Sequence, residues 1–263
     1  MASYRSYPQS SLLGTLDSLL VCHAKREHLC VCVTGSGGKT TLIGRLARHW
    51  AQDGHRILVT TTTRMAHPAN HPYDVERVWI EGKDDGRPVD TAEGSVLLAG
   101  TEAAGKLGPL SDPVFRDLSG RSDRILIEAD GARGLPLKIH SDRDPVIAPG
   151  TDVVISLMGL SAFGKPLDER SMYLFPRFVE LTGTHPKAVD EQVYRILLDH
   201  PEGVFKRCGI LPVIVWCNQS DAVDTAHMSA VADLLAKGGH CRPFTLVMAS
   251  LHADRLDIVR SLP

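Results

Sequence analysis

The sequence predicts an α/β fold in which a mostly parallel sheet is flanked by helices, and three observations predict it. Short, nearly continuous apolar runs recur along the chain: Leu29–Val33, Ile57–Thr60, Val96–Ala99, Ile125–Ile127, Val153–Leu157 and Val213–Cys217. Runs without polar alternation suit strands covered on both faces, which is the environment of a parallel sheet. Between the first two runs, Leu42, Ile43, Leu46, Ala47 and Trp50 recur at helical spacing, with Arg45 and Arg48 between them and Gly54 at the end. Strand, helix and strand in that order make a βαβ unit. A glycine-rich turn, residues 35–38, joins the first strand to the helix.

The remaining elements follow from the same patterns. Leu12, Leu13, Leu19 and Leu20 mark a short amphipathic helix that packs on the domain. The stretch from Arg64 to Val89 is rich in His, Pro, Asp and Gly and reads as a long connection carrying one extra strand, Val75–Ile80. Asp168–Leu181 and Asp190–Leu198 read as two helices inserted before the last strand. With no repeat, low-complexity tract or linker, the 263 residues are expected to form one domain, 1–263, with insertions near 64–95 and 165–208.

Composition narrows the classes of function. Hydrophobic residues make up 43% and charged residues 23%, an ordinary globular balance, and the formal charge of −2 argues against nucleic-acid binding or a polybasic membrane contact. No apolar run approaches the roughly 18 residues that span a bilayer. The N-terminal stretch, interrupted by Asp17, does not read as a signal peptide. Cys22, Cys30, Cys32, Cys208, Cys217 and Cys241 include no CxxC pair, so a reducing cytoplasm is the simpler reading. Cys30 and Cys32 point to one face of a strand, where core thiols are expected rather than a metal or redox pair.

Candidate chemistry starts at Val-Thr-Gly-Ser-Gly-Gly-Lys-Thr-Thr, residues 33–41, which closes the first strand and opens the first helix. This resembles the phosphate loop of P-loop nucleoside-triphosphate-binding proteins. Glycines let backbone N–H groups turn around an anion, and the helix N-terminus adds partial positive charge. Gly35, Ser36, Gly37, Gly38, Lys39, Thr40 and Thr41 are therefore the expected nucleotide-binding set. Lys39 would reach the β- and γ-phosphates as a catalytic residue, and the Thr40 hydroxyl would ligate Mg²⁺. The common G-x-x-x-x-G-K-[ST] pattern would put its first glycine at Val33. Here the glycine is Gly35, as in the shorter cradles of Mur-type ligases.

Arg-Ile-Leu-Ile-Glu-Ala-Asp-Gly places Glu128 and Asp130 at the carboxyl end of an apolar strand, where ligands of open parallel sheets collect. Glu128 is expected to share Mg²⁺ with Thr40, Asp130 to place the attacking water, and Gly131 to let the backbone approach the γ-phosphate. Glu-x-x-Gly at this point resembles metallochaperone GTPases. Val-Ile-Val-Trp-Cys-Asn-Gln-Ser-Asp closes a late strand with Asn218 and Asp221, resembling the Asn-Lys-x-Asp signature that reads guanine, with Gln219 in place of the lysine. The Asp221 carboxylate would accept from guanine N1 and N2, and Asn218 would brace the loops. The other reading, that both residues form the turn and cap of the next helix, stays open.

Thr60-Thr61-Thr62-Thr63-Arg64 ends the second strand. Its hydroxyls are candidates for the γ-phosphate or Mg²⁺, or plain strand residues, and Arg64 is a candidate catalytic arginine acting in cis. Arg133, Lys138, His140, Lys106 and Lys165 either receive an anionic second substrate or are solvated surface charges. His67 and His71, followed by Pro68 and Pro72, are loop residues.

Taken in order, these motifs with Thr-Thr-Thr-Thr-Arg-Met, Glu-Ala-Asp-Gly-Ala-Arg-Gly-Leu-Pro-Leu-Lys and Gly-Lys-Pro-Leu resemble one family over residues 12 to 250. It is the YqeC-type family, accessory proteins of selenium-dependent molybdenum hydroxylases. The resemblance implies a place in maturation of a molybdenum cofactor or its selenium ligand, and a hydroxylase or maturation protein as partner. The residues themselves point to an Mg²⁺-dependent hydrolase of GTP or ATP, GTP being favoured by Asp221. Two alternatives stand beside it: an ATP-using kinase or ligase acting on a small anion, and a nucleotide-gated binding protein with little turnover.

Overall fold

In a computed structural model, which describes residues 11–24, 28–67, 69, 73, 75–84, 92–238 and 240–263, one eleven-stranded sheet organises the chain. The elements in chain order are α1 (Leu12–Val21), β1 (Leu29–Gly35), α2 (Lys39–Gln52), β2 (Ile57–Thr61), β3 (Met65–Ala66), β4 (Arg77–Glu81), β5 (Val96–Ala103) and β6 (Lys106–Gly108). There follow α3 (Asp112–Gly120), β7 (Arg124–Glu128), β8 (Leu137–Lys138), β9 (Val153–Gly159), β10 (Met172–Tyr173) and α4 (Phe175–Thr182). The chain ends with α5 (Glu191–Asp199), β11 (Val213–Asn218), α6 (Thr225–Ala236), β12 (Phe244–Ser250) and β13 (Arg255–Leu262).

The strand order is β13-β12-β11-β9-β1-β7-β2-β5-β6-β3, with β4 beside β5. From β12 to β5 the neighbours are parallel, as the apolar runs require, while β13, β6 and β3 are antiparallel additions. Successive side chains of a strand face opposite sides, so each central strand feeds two cores. Val31 and Val33 join α1 and α2 (Leu16, Leu42, Leu46, Trp50) on one face. Cys30 and Cys32 join α4, α5 and α6 (Phe178, Leu197, Val231) on the other. The core thiols expected at Cys30 and Cys32 are there, and burial pushes the Cys32 thiol above its ordinary value. α1 is fastened to α2 by the Trp50 indole, which donates to Asp17 at 2.6 Å.

The expected strands all appear, lengthened by one to four residues, and the extra strand lies at Arg77–Glu81 rather than Val75–Ile80. Two expectations are corrected. The helix expected over 168–181 begins only at Phe175, because Asp168 folds the chain into a turn by accepting from the Arg170 amide at 2.8 Å, and Leu174 takes a left-handed conformation (φ 62) before Pro176. β11 is not the last strand: the sheet continues through β12 and then β13, an edge strand carrying Arg255, Asp257 and Arg260 and broken by a bulge opposite Met248/Ala249. Among the described residues no helix is long and apolar enough to cross a membrane.

One ion pair fixes the amino-terminal ends of two central strands. Asp123, just before β7, accepts from the Arg56 backbone amide at 2.8 Å and from its guanidinium at 2.7 and 3.1 Å. Those hydrogen bonds hold its carboxyl at about 2, below the ordinary 3.8. A carboxyl lowered by folding contributes stability that is present above the unfolded value and lost as pH falls through the folded one. Asp123→Asn should therefore flatten the loss of stability between 3.8 and about 2, read as urea midpoints across that window.

Candidate functional site

The carboxyl ends of β1, β7, β2, β9 and β11 meet at one edge, and parallel pairing sets the candidate residues side by side. Val33 lies opposite Glu128, Gly35 opposite Leu157, and Asn218 opposite Gly159. The 35–38 turn can be built only from glycine at three positions. Gly35, Gly37 and Gly38 have φ of 87°, 83° and 127°, and a Cβ on Gly37 would lie 2.5 Å from the Gly159 Cα. A Cβ on Gly38 would lie 2.4 Å from the Asn218 Nδ2.

The turn is pinned to its neighbours by its own amides. Gly35 N–H donates to Asp130 (2.9 Å), Ser36 N–H to the Leu157 carbonyl (3.0 Å) and Gly37 N–H to the Leu135 carbonyl (3.2 Å). The Ser36 hydroxyl donates to the Pro136 carbonyl at 2.9 Å. These groups face the protein. What remains at the surface is Gly38 with Thr40 and Thr41 of the first turn of α2. No side chain caps that helix and no acidic residue of its own sits in its first turn, so its N-terminal amides are not answered from within the helix. Thr40 is half-buried and Thr41 exposed. Asn218 braces the turn as expected: its amide donates to the Gly37 carbonyl at 2.8 Å and its oxygen accepts from Leu251 N–H at 3.1 Å.

Beneath the turn lies a buried charge cluster. The Lys39 ammonium is 2.7 Å from the Gly35 carbonyl and 3.0 Å from Asp130 Oδ1. Asp130, wholly buried, receives on Oδ2 the Gly35 amide, Lys138 Nζ and His140 Nε2, each at 2.9 Å. Lys138 also donates to the Gly131 carbonyl (2.9 Å) and Asp144 (2.7 Å). Burial opposes ionisation of Asp130, but Lys39, Lys138 and His140 outweigh it and hold the carboxyl far below the ordinary carboxylate range. Burial likewise works against the Lys39 charge, and Asp130 and then Glu128 more than restore it. The Asp130 carboxylate, expected to place an attacking water, is engaged by cations and by the loop.

Glu128 is the carboxylate with spare capacity. Its Oε2 is buried without a hydrogen-bond partner, and burial, reinforced by Asp130 and opposed by Lys39, raises its carboxyl above the ordinary value. The Thr40 side chain lies near enough to work against that rise, so the two residues expected to share Mg²⁺ are neighbours. Hard oxygen donors beside an unfilled buried carboxylate oxygen fit that ion. Among the described residues no group of three or more His, Cys, Asp or Glu is placed to hold a metal without further ligands.

Other expected residues lie further out. The Thr61 and Thr62 hydroxyls donate to the carbonyls of Glu128 (2.7 Å) and Val146 (2.6 Å). Thr60 and Thr63 have buried hydroxyl oxygens without partners, and Arg64 is exposed with no ion pair to a described residue. Asp221 is also exposed, with no ion pair to a described residue. It does not cap the next helix, since Asp224 caps α6 by accepting from His227 N–H. Gln219 accepts from the Ser161 hydroxyl at 2.7 Å. Lys138 and His140 are neither surface charges nor open to a substrate. Arg133, Lys106 and Lys165 are exposed, with Arg133 5.4 Å over the Tyr173 ring. His67 lies 3.8 Å from Glu102, and His71, Pro68 and Pro72 fall outside the described residues.

Two contributors gave no sequence signal. Asp144 completes the Lys138 shell from within Ser-Asp-Arg-Asp-Pro, where nothing separates it from Asp142. Tyr73, buried, lays its carbonyl against α2, where a Cβ on Gly44 would come within 3.2 Å. Burial, then Glu128, raises its phenol.

The fold and site define a mixed α/β protein with a mostly parallel sheet and a glycine turn over buried lysine and carboxylates. The sequence model of the YqeC protein family matches residues 31–175, more than half of the chain, and the chain belongs to that family. Across 187 residues it is 29% identical to "Uncharacterized protein YqeC" of Escherichia coli (strain K12), covering 70% of this chain and 72% of that relative.

The turn's geometry separates two glycines. Gly37→Ala should lower unfolding free energy by about 2 kcal/mol or more, because both φ and the Gly159 backbone forbid a Cβ. Gly131→Ala, with nothing within 4 Å of the added carbon, should stay within about 0.5 kcal/mol of the parent in the same urea titration.

Proposed function

We propose that this chain is a P-loop nucleotide hydrolase that takes a nucleoside triphosphate with Mg²⁺ on the 35–41 turn. The observation that carries this reading is the first turn of α2: uncapped, with no acidic residue of its own, carrying a buried lysine and held by glycines that admit no side chain. Amides 38–41 and Lys39 receive the phosphates, and Thr40 with Glu128 holds the ion. Bound there, Mg²⁺ neutralises charge on the phosphate oxygens. Asp130 keeps the turn in place, and Arg64, exposed beyond β2, is the cation available to the departing charge. Asp221, exposed just beyond β11 with no ion pair to a described residue, supports a guanine base over adenine. The family resemblance supports coupling this cycle to maturation of a selenium-dependent molybdenum hydroxylase or its cofactor, in the cytoplasm, where six free thiols are at home. A second reading, transfer to a small anionic substrate, is favoured by Arg133, exposed on the 131–136 loop against which the turn is pinned.

Lys39→Ala should abolish triphosphate binding while leaving a folded protein, since Asp130 retains Lys138 and His140; calorimetry with unchanged affinity would sink the phosphate site. Glu128→Gln should keep binding and lose turnover, checked by binding and phosphate release on one preparation. Unlabelled GTP should outcompete ATP by about tenfold to a hundredfold for a labelled nucleotide, and Asp221→Asn should exchange guanine for xanthine. A win for ATP would put the transfer reading first.

A further inference from the structure

Lys138 and His140 have no part in the reading above, yet they are among the most enclosed charged or polar side chains near the turn, each 2% exposed. Their arrangement about Asp130 is asymmetric. Oδ1 faces Lys39 alone, whose stem rises from the first residue of α2. Oδ2 faces Lys138 and His140, and both are fixed from behind. The three Lys138 donors meet three acceptors, Asp130, Asp144 and the Gly131 carbonyl. His140 Nδ1 faces the carbonyls of Gly203 (3.0 Å) and Glu202 (3.2 Å). Among its side-chain partners, Asp130 thus has two fixed from behind by other segments and one, Lys39, whose further hydrogen bond is to the Gly35 carbonyl of the turn itself.

Lys39 has to let go of Asp130 to reach a phosphate. A wholly buried carboxylate stripped of its cations is strongly disfavoured, so an Asp130 that depended on Lys39 alone would hold that lysine against any competing anion. It would also loosen the Gly35 amide that shares its Oδ2. We infer that Lys138, seconded by His140, is a positioning residue that supplies the standing countercharge of Asp130, so that Lys39 can turn to a phosphate while the glycine turn stays anchored. The inference rests on the nucleotide reading and assigns Lys138 no contact with the nucleotide.

The test is a double-mutant cycle on Mg²⁺-dependent binding of a fluorescent GTP analogue to the full chain, with Lys138→Met, Asp130→Asn and the double variant. Lys138→Met should weaken binding roughly tenfold to a hundredfold, the usual span of coupling between linked sites. In the Asp130→Asn background the same change should cost less than about threefold, since a neutral amide needs no countercharge. A Lys138 that only braces the 131–144 segment would weaken binding by the same factor in both backgrounds; that result, or no effect in either, overturns the inference. Lys138→Gln, which keeps a donor without the charge, runs through the same cycle should the methionine variant fail to fold. A parent protein that binds no nucleotide would overturn the hydrolase reading and this inference with it, whereas a binding parent with an uncoupled cycle removes this inference alone.

Discussion

A single buried carboxylate ties together the parts of the chain that matter for chemistry. Asp130 stands two residues beyond the end of β7, and its two oxygens gather the backbone of the glycine turn, the lysine that opens α2 and two side chains of the 138–140 segment. The arrangement is possible because β7 is next to β1 in the sheet, so that the strand ends arrive together. Removing a carboxylate from water is costly unless its lone pairs are answered. Here they are answered by groups drawn from far apart in sequence, and each is oriented by the requirement.

The two acids of this strand end occupy opposite electrostatic conditions although one residue separates them. Glu128 points toward α2 and has an oxygen without a partner, so burial raises its carboxyl. Asp130 is ringed by donors, so its carboxyl is lowered. Environments that push neighbouring acids apart divide labour between them: one accepts a new ligand, the other holds the architecture.

The sheet and the turn were legible in the sequence because their signals are local. An unbroken apolar run such as Val153–Leu157 has few alternatives, and glycine at 35, 37 and 38 announces a backbone other residues avoid. Lys138 and His140 were not legible, since their burial depends on a carboxylate from another segment and on carbonyls at 202 and 203. The same holds for Tyr73, whose neighbour is a helix thirty residues upstream, and for the start of α4, decided by a side-chain turn at Asp168 against a helical apolar pattern. The strands after β11 were missed separately: β12, Phe244–Ser250, is a buried apolar run of the same kind that was passed over, whereas β13 lies on the edge, half-exposed, and its charged residues dilute the apolar run.

That edge has a bearing on how the molecule behaves in company. A long sheet ending in an open strand offers unpaired amides and carbonyls to any extended chain nearby. β13 carries Arg255, Asp257 and Arg260, and the register with β12 is broken by the bulge at Met248/Ala249. A foreign strand laid alongside would have to strip water from those charges and follow a kinked ladder. The last strand of the chain therefore works as a selvedge, the woven border that keeps a fabric from running, and protects a crowded solution of this protein from stitching its sheets together.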